Sequence, residues 1–207
     1  MDIWIYEYQP TWPTSFLAIQ SDLASDLARA PIAYRAITHV GSTAVPGQTG
    51  KNVIDVLITV RRADFAKHVI LQQFKGALMH GVAQGGYYYL GDGGVRGRWS
   101  FKLRAAAAAE GGAGRVERNV YVAAEGSVVQ RSCVALRDTL RAEPGLRVEY
   151  GRVKLEASGG ECRNIMQYAT KKNGVVRKIL RKAGWSEEEI DEKEAQAVKD
   201  WPQGWEI

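Results

Sequence analysis

Residues 36–40 and 52–60 are apolar, β-branched runs, and the turn-rich segment between them restricts the fold of this chain more than any other feature. Gly41, Pro46, Gly47 and Gly50 break regular structure between the two runs. Ser42 and Thr43 bring hydroxyls beside backbone N–H groups, and Lys51 adds a positive charge. A strand, a Gly-Ser turn and a second strand can together hold phosphate, because turn amides without internal partners point outward. Asp55 lies inside the second run, where a carboxylate is costly to bury unless something pairs with it, and it is the foremost single-residue candidate.

Ser42 has two chemical readings, phosphate ligand or acyl-accepting nucleophile, beside the plain one of a turn-stabilising hydroxyl. His39 ends the first run and titrates near neutrality, which suits a general base as well as a hydrogen-bonded structural residue.

The order His39, Val40, Gly41, Ser42, Thr43, Ala44, Val45, Pro46, Gly47, then Lys51, Ile54 and Asp55, resembles the signature of the GrpB family. The resemblance extends to Tyr8, Pro10, Trp12 and Pro13, to Arg137, Asp138, Leu140 and Arg141, and to Tyr150 with Lys154, with residues 105–114 as a local insertion. It implies a nucleotidyltransferase fold, in which a Gly-Ser turn precedes a strand bearing metal-binding carboxylates. The chain departs from that pattern in one respect. Alternate residues of a strand face one side, so a Mg²⁺ pair needs acids at i and i+2, and here those positions are Asp55 and Leu57. Metal-dependent chemistry would then need a distant acid such as Glu7, Glu117 or Glu125.

A length of 207 residues suits one domain, 1–207, with a mixed-sheet core over 1–125 and a helical part over 126–207. The 45% apolar and 25% charged shares are those of an ordinary globular protein. No stretch approaches the roughly 18 apolar residues of a membrane span, and the N-terminus lacks a basic segment followed by an apolar one. A cytoplasmic protein without a membrane partner is expected. Cys133 and Cys162 lack CxxC spacing and read as free buried thiols, and His68 and His80 show no metal spacing.

The formal charge of +5 is unevenly spread. Residues 141–182 hold eleven basic and four acidic side chains, whereas residues 186–207 hold eight acids against Lys193 and Lys199. Such a field steers a polyanion, or else pairs neighbouring helices with each other. Arg177, Lys178, Arg181 and Lys182 alternate with Val175, Val176, Ile179 and Leu180, a basic amphipathic helix with either a nucleic-acid face or a solvated one. Tyr150 with Lys154, and Tyr168 with Lys171 or Lys172, sit at helical spacing, and the second pair reads as solvated lysines beside a tyrosine.

The periodicity predicts strands over 2–7, 87–90, 99–103 and 118–123, besides the two central runs. In the last of these Arg118, Val120 and Val122 take one face and Asn119 and Tyr121 the other. Helices are expected over 14–29, 63–74 (Phe65, Val69 and Ile70 inward), 127–141, 149–157, 161–183 and 186–200. Ser127 with Gln130 and Ser186 with Glu189 fit capping boxes. GDGGVRG, from Gly91, is a hairpin connection or a flap, and Trp185, Trp201 and Trp205 read as anchors of the acidic tail. The architecture expected is α+β: a nucleotidyltransferase-like mixed sheet with an N-terminal helical layer and a C-terminal helical bundle.

Some fungal members of the family look like arginine-containing cyclodipeptide synthases, so the resemblance implies aminoacyl-tRNA-dependent acyl transfer. The expected partners are charged tRNAs, arginyl-tRNA among them. No cofactor is expected, since peptide-bond formation from an activated ester needs a positioned amine, a base and oxyanion stabilisation. On that reading Asp55, Ser42 and His39 are catalytic. Gly41, Thr43, Lys51, Arg118, Tyr150 and Lys154 contact substrate, and Arg177, Lys178, Arg181 and Lys182 contact nucleic acid. The alternatives are a Mg²⁺-dependent nucleotidyltransferase and a catalytically silent nucleotide- or RNA-binding module.

Overall fold

The structure, a computed structural model, describes residues 4–80, 86–103, 116–159 and 165–197. The insertion at 105–114, Cys162, Trp201, Trp205 and the far ends of the first strand and last helix lie outside the described residues.

Five strands form one sheet in the order β1-β2-β5-β4-β3: β1 (Ala36–Val40), β2 (Val53–Val60), β3 (Tyr87–Tyr89), β4 (Arg98–Leu103) and β5 (Glu117–Ala124). The central pair, β2 and β5, is parallel, and every other neighbour is antiparallel. Of the predicted strand at 2–7, the described residues 4–7 form only a bridge between Tyr6 and Gly50.

The period of two divides the sheet into unlike faces. Ile54, Val56, Ile58 and Val60 of β2 join Val120 and Val122 of β5 and Trp99, Phe101 and Leu103 of β4 in the main core. Helix α1 (Trp12–Arg29) covers that face with Trp12, Phe16, Ile19, Leu23 and Leu27, and Pro13 at its start fits the first helical turn. Helices α2 (Arg62–Phe65) and α3 (His68–His80) complete the layer, as one expected helix broken in two. Arg61 and Lys67 both bind the Asp64 carboxylate at the break. The restart at His68 shifts the helical phase, so Val69 is 58% exposed and Phe74, Ala77 and Leu78 are buried in its place.

The opposite face carries Asp55, Leu57, Asn119, Tyr121, Ser100 and Lys102, and the C-terminal helices pack there. These are α4 (Val128–Ala142), α5 (Pro144–Gly159), α6 (Ile165–Lys171), α7 (Asn173–Lys182) and α8 (Glu187–Ala195). Helix α5 begins at Pro144, earlier than the periodicity predicts, and the expected long helix is interrupted at Lys172 between α6 and α7. Ser186 and Glu189 form the reciprocal capping box at α8. At α4 only half of the box is made, since the Gln130 side chain accepts from Gly126 N rather than from Ser127 N. Trp185 is buried with Leu180 and Ile190 where α7 meets α8. The GDGGVRG segment is a tied hairpin connection: Arg98 donates to the Asp92 and Gly93 carbonyls, and Val95 bridges Ala197 beyond α8.

Candidate functional site

Gly41 turns the chain out of β1 with φ 72° and ψ −170°, and residues Ser42–Ala44 follow as one 3₁₀ turn. Two arginines of α4 hold this turn by its backbone. Arg137 donates to the His39 carbonyl while pairing with Asp138, and Arg141 places its fork on the Ala44 carbonyl at 2.7 and 3.0 Å. Leu140, between them, packs on Val45. From the N-terminal side Trp12 Nε1 donates to Asn52 Oδ1 at 2.8 Å. The matching residues near both ends of the chain are thus the frame of the Gly-Ser turn.

Inside that frame Asp55 is half-buried, with Asn119 Nδ2 donating to its Oδ1 at 2.9 Å and the Tyr121 hydroxyl at 3.4 Å. Burial raises its pKa, opposed by the Asn119 hydrogen bond and by the charges of Arg98 and Lys51. Three lysines surround it. Lys154 is 2% exposed, and its Nζ donates to Ser42 Oγ at 2.8 Å and to the Thr49 carbonyl. Burial and the nearby Lys172 bring Lys154 down to about 7. Lys172 is half-buried 4.1 Å from the centre of the Tyr168 ring, and burial with Lys51 nearby lowers it to about 8. Lys51 approaches the same ring at 5.3 Å, and burial lowers its pKa too. Tyr150 lies under Lys154, its phenol pushed up to about 12 by burial while the hydrogen-bonding Ser42 hydroxyl acts the other way.

The structure therefore brings together Gly41, Ser42, Lys51, Asp55, Tyr150 and Lys154. Thr43 is buried behind the turn. His39 is on the opposite face of the sheet, stacked on Phe16 at 4.6 Å with Nε2 3.0 Å from Thr43 Oγ1. It braces the turn and is not placed to take a proton from Ser42. Arg118 is likewise on the core face, beside the Tyr87 ring and away from Asp55, because strand alternation gives the site face to Asn119. Lys172, expected in solvent, is in the cluster. Asn119, Tyr121 and Arg98 are not among the expected site residues; the parallel register of β2 and β5 brings the first two beside Asp55, and Arg98 of β4 lies over the Tyr121 ring at 4.2 Å.

The basic side chains of α7 face acids of the same chain. Arg177 meets Glu187, Asp191 and Glu194, Arg181 meets Glu187, Lys178 meets Glu149 and Lys182 meets Glu143. Arg177 and Arg181 thus tie the basic segment to the described part of the acidic one.

A carboxylate-held Mg²⁺ pair does not fit this donor set. Leu57 is fully buried against Val40, Ala123 and Val129. Glu125 pairs with Arg35, Glu7 is exposed, and Glu117 at the strand end faces Lys51. Among the described residues no three His, Cys, Asp or Glu side chains converge. No described helix is long and apolar enough to cross a membrane, and Cys133 is a half-buried free thiol.

The His39 environment has a measurable consequence. Burial and the charges of Arg141 and Arg137 lower its pKa to about 4. The unfolded chain therefore takes up this proton first, and stability falls as pH drops from 6.5 towards 4, by up to about 3 kcal/mol. His39→Gln should flatten the urea midpoint across that window; an unchanged slope would assign the acid sensitivity elsewhere.

The chain is 28% identical over 184 residues to the UPF0157 protein BH1888 of Halalkalibacterium halodurans, covering 87% of this chain and 82% of that protein. It is 30% identical over 133 residues to the UPF0157 protein YqkA of Bacillus subtilis, covering 64% of this chain and 34% of YqkA. The crystal structure of conserved protein GrpB from Enterococcus faecalis superposes with a TM-score of 0.66 at 24% identity, over 87% of this chain and 96% of that one. The architecture is thus the expected α+β fold, a mixed sheet with helical layers consistent with a nucleotidyltransferase-like one. Residues 2–182 match the family described as GrpB protein, and the chain belongs to that family.

Proposed function

We propose that the Asp55 cluster is the active site of an aminoacyl-tRNA-dependent acyltransferase that joins two amino acids, arginine among them, into a cyclic dipeptide without a metal ion. The observation that carries this reading is one carboxylate set among Lys51, Lys154 and Lys172, above a Leu57 that is buried where a second acid would stand. Lysines around a half-buried seam attract the anionic 3′ end of a tRNA. The lone carboxylate suits the α-amine or guanidinium of an aminoacyl group. Acyl transfer from an ester also starts from an activated substrate, so it makes no demand for a second metal ligand. The same lysines favour a second reading, a nucleotide- or RNA-binding module without turnover.

The purified protein is incubated with a mixture of charged tRNAs, with and without chelator, and cyclic dipeptides are sought by mass spectrometry. The expected result is arginine-containing product that survives chelation and is lost in Asp55→Ala. Intact charged tRNA with no product would leave the binding module, and product abolished by chelator would restore metal chemistry.

A further inference from the structure

We infer that Ser42 is a covalent nucleophile and Lys154 its general base, so that transfer at this site passes through an acyl-Ser42 ester. The inference deepens the acyltransferase reading and rests on it for the natural substrate, but the geometry is independent of any tRNA. Lys154 Nζ is 2.8 Å from Ser42 Oγ, the separation a direct proton transfer needs. The lysine comes from α5, 112 residues away in sequence, and is held by the Thr49 carbonyl and the Tyr150 ring, so its approach to the hydroxyl is fixed by the fold. Gly50 leaves room for it: a Cβ there would lie 3.1 Å from Ser42 Cβ and 3.6 Å from Lys154 Nζ. Gly151 admits the facing strand of the turn, since a Cβ on it would meet Thr49 Oγ1 at 3.1 Å. Burial at about pH 7 leaves a large neutral fraction of Lys154, and a neutral amine can accept the proton.

The step balances within the site. Ser42 Oγ attacks the ester carbonyl while Lys154 Nζ takes the hydroxyl proton. The bond from the carbonyl carbon to the leaving alkoxide breaks, and Lys154 returns the proton to that oxygen. The product is an acyl ester on Ser42 and a free alcohol. An amine then attacks this ester, giving its proton through Lys154 to the departing Ser42 oxygen, and an amide leaves with the hydroxyl restored.

The test uses p-nitrophenyl acetate as a simple activated ester and, separately, charged tRNA quenched in acid within one turnover. Peptide mass spectrometry is expected to find the acyl group on the peptide carrying Ser42 with either donor, and none in Ser42→Ala. Ser42→Cys should restore the adduct as a hydroxylamine-labile thioester, which also shows that the fold survives. The acylation rate should rise about tenfold per pH unit below pH 7 and level above it, and Lys154→Met should lose that dependence. Full turnover by Ser42→Ala, or acylation confined to lysines, would overturn the covalent step while leaving the acyltransferase reading intact. Acyl-Ser42 from the simple ester with no product from charged tRNA would keep the dyad and discard the tRNA substrate. No adduct from either donor would also overturn the dyad.

Discussion

Gly41→Ala should cost about 2–6 kcal/mol of stability and eliminate transfer. The backbone at Gly41 has φ 72° and ψ −170°, a region that a side chain enters only at a cost of about 1–3 kcal/mol. The second contribution is steric. A Cβ there would sit 2.4 Å from Asp55 Oδ2 and 3.1 Å from both Asp55 Cβ and Cγ, so the turn or the strand must move, at a further cost of about 1–3 kcal/mol. Movement of either takes Ser42 away from Lys154. Urea denaturation with the acylation assay checks both halves. Gly76→Ala is the control, since a Cβ there meets nothing within 4 Å, and the helix α3 around it gains about 0.5–1 kcal/mol from alanine. A Gly41→Ala protein as stable and active as its parent would refute the close approach to Asp55.

Asp55→Asn should lower transfer by roughly 10²-fold or more while leaving the protein as stable as its parent or more so at neutral pH. The two signs are opposite because the carboxylate serves the site at the expense of the fold. Its folded pKa is raised above the unfolded value, so stability is lost as pH rises from the unfolded pKa through the folded one. An amide of the same shape removes that loss and keeps a partner for Tyr121. It also removes the charge that raises the pKa of Lys154 and of Lys172. The acid limb of the residual acylation profile should therefore move to lower pH. A profile that stays in place would show that Asp55 does not act on Lys154 electrostatically, and a marked loss of stability would show that the fold needs the charge.

Much of the frame was legible because it is local. The strand alternation at 118–123, the capping box at Ser186 and the helix from Val128 all follow from spacing. Asp55 was legible for a chemical reason, as an acid in an apolar run. What spacing could not give was register and face. Arg118 and Asn119 are adjacent in sequence, and only the pairing of Asn119 with Asp55 decides which one reaches the site. His39 and Ser42 are three residues apart, yet the strand end puts them on opposite sides of the sheet. Lys172 resembles any lysine at a helix break until α6 and α7 fold its stem against Tyr168. The basic face of α7 was ambiguous because its acid partners come from α5, α8 and the loop before α5.

The parallel pairing of β2 with β5 bears on when this site comes into being. Asp55 and Asn119 are 64 residues apart, and Ser42 and Lys154 are 112 apart. No hairpin or helix pair of the chain can build the cluster alone, since contacts so distant must await closure of long loops. A nascent chain ending at Tyr121 would hold the carboxylate and its hydrogen-bond donors but not Lys154. On the proposed function, acylation competence would thus mark a chain folded through Lys172, and in a refolding experiment its recovery should trail the return of helical signal.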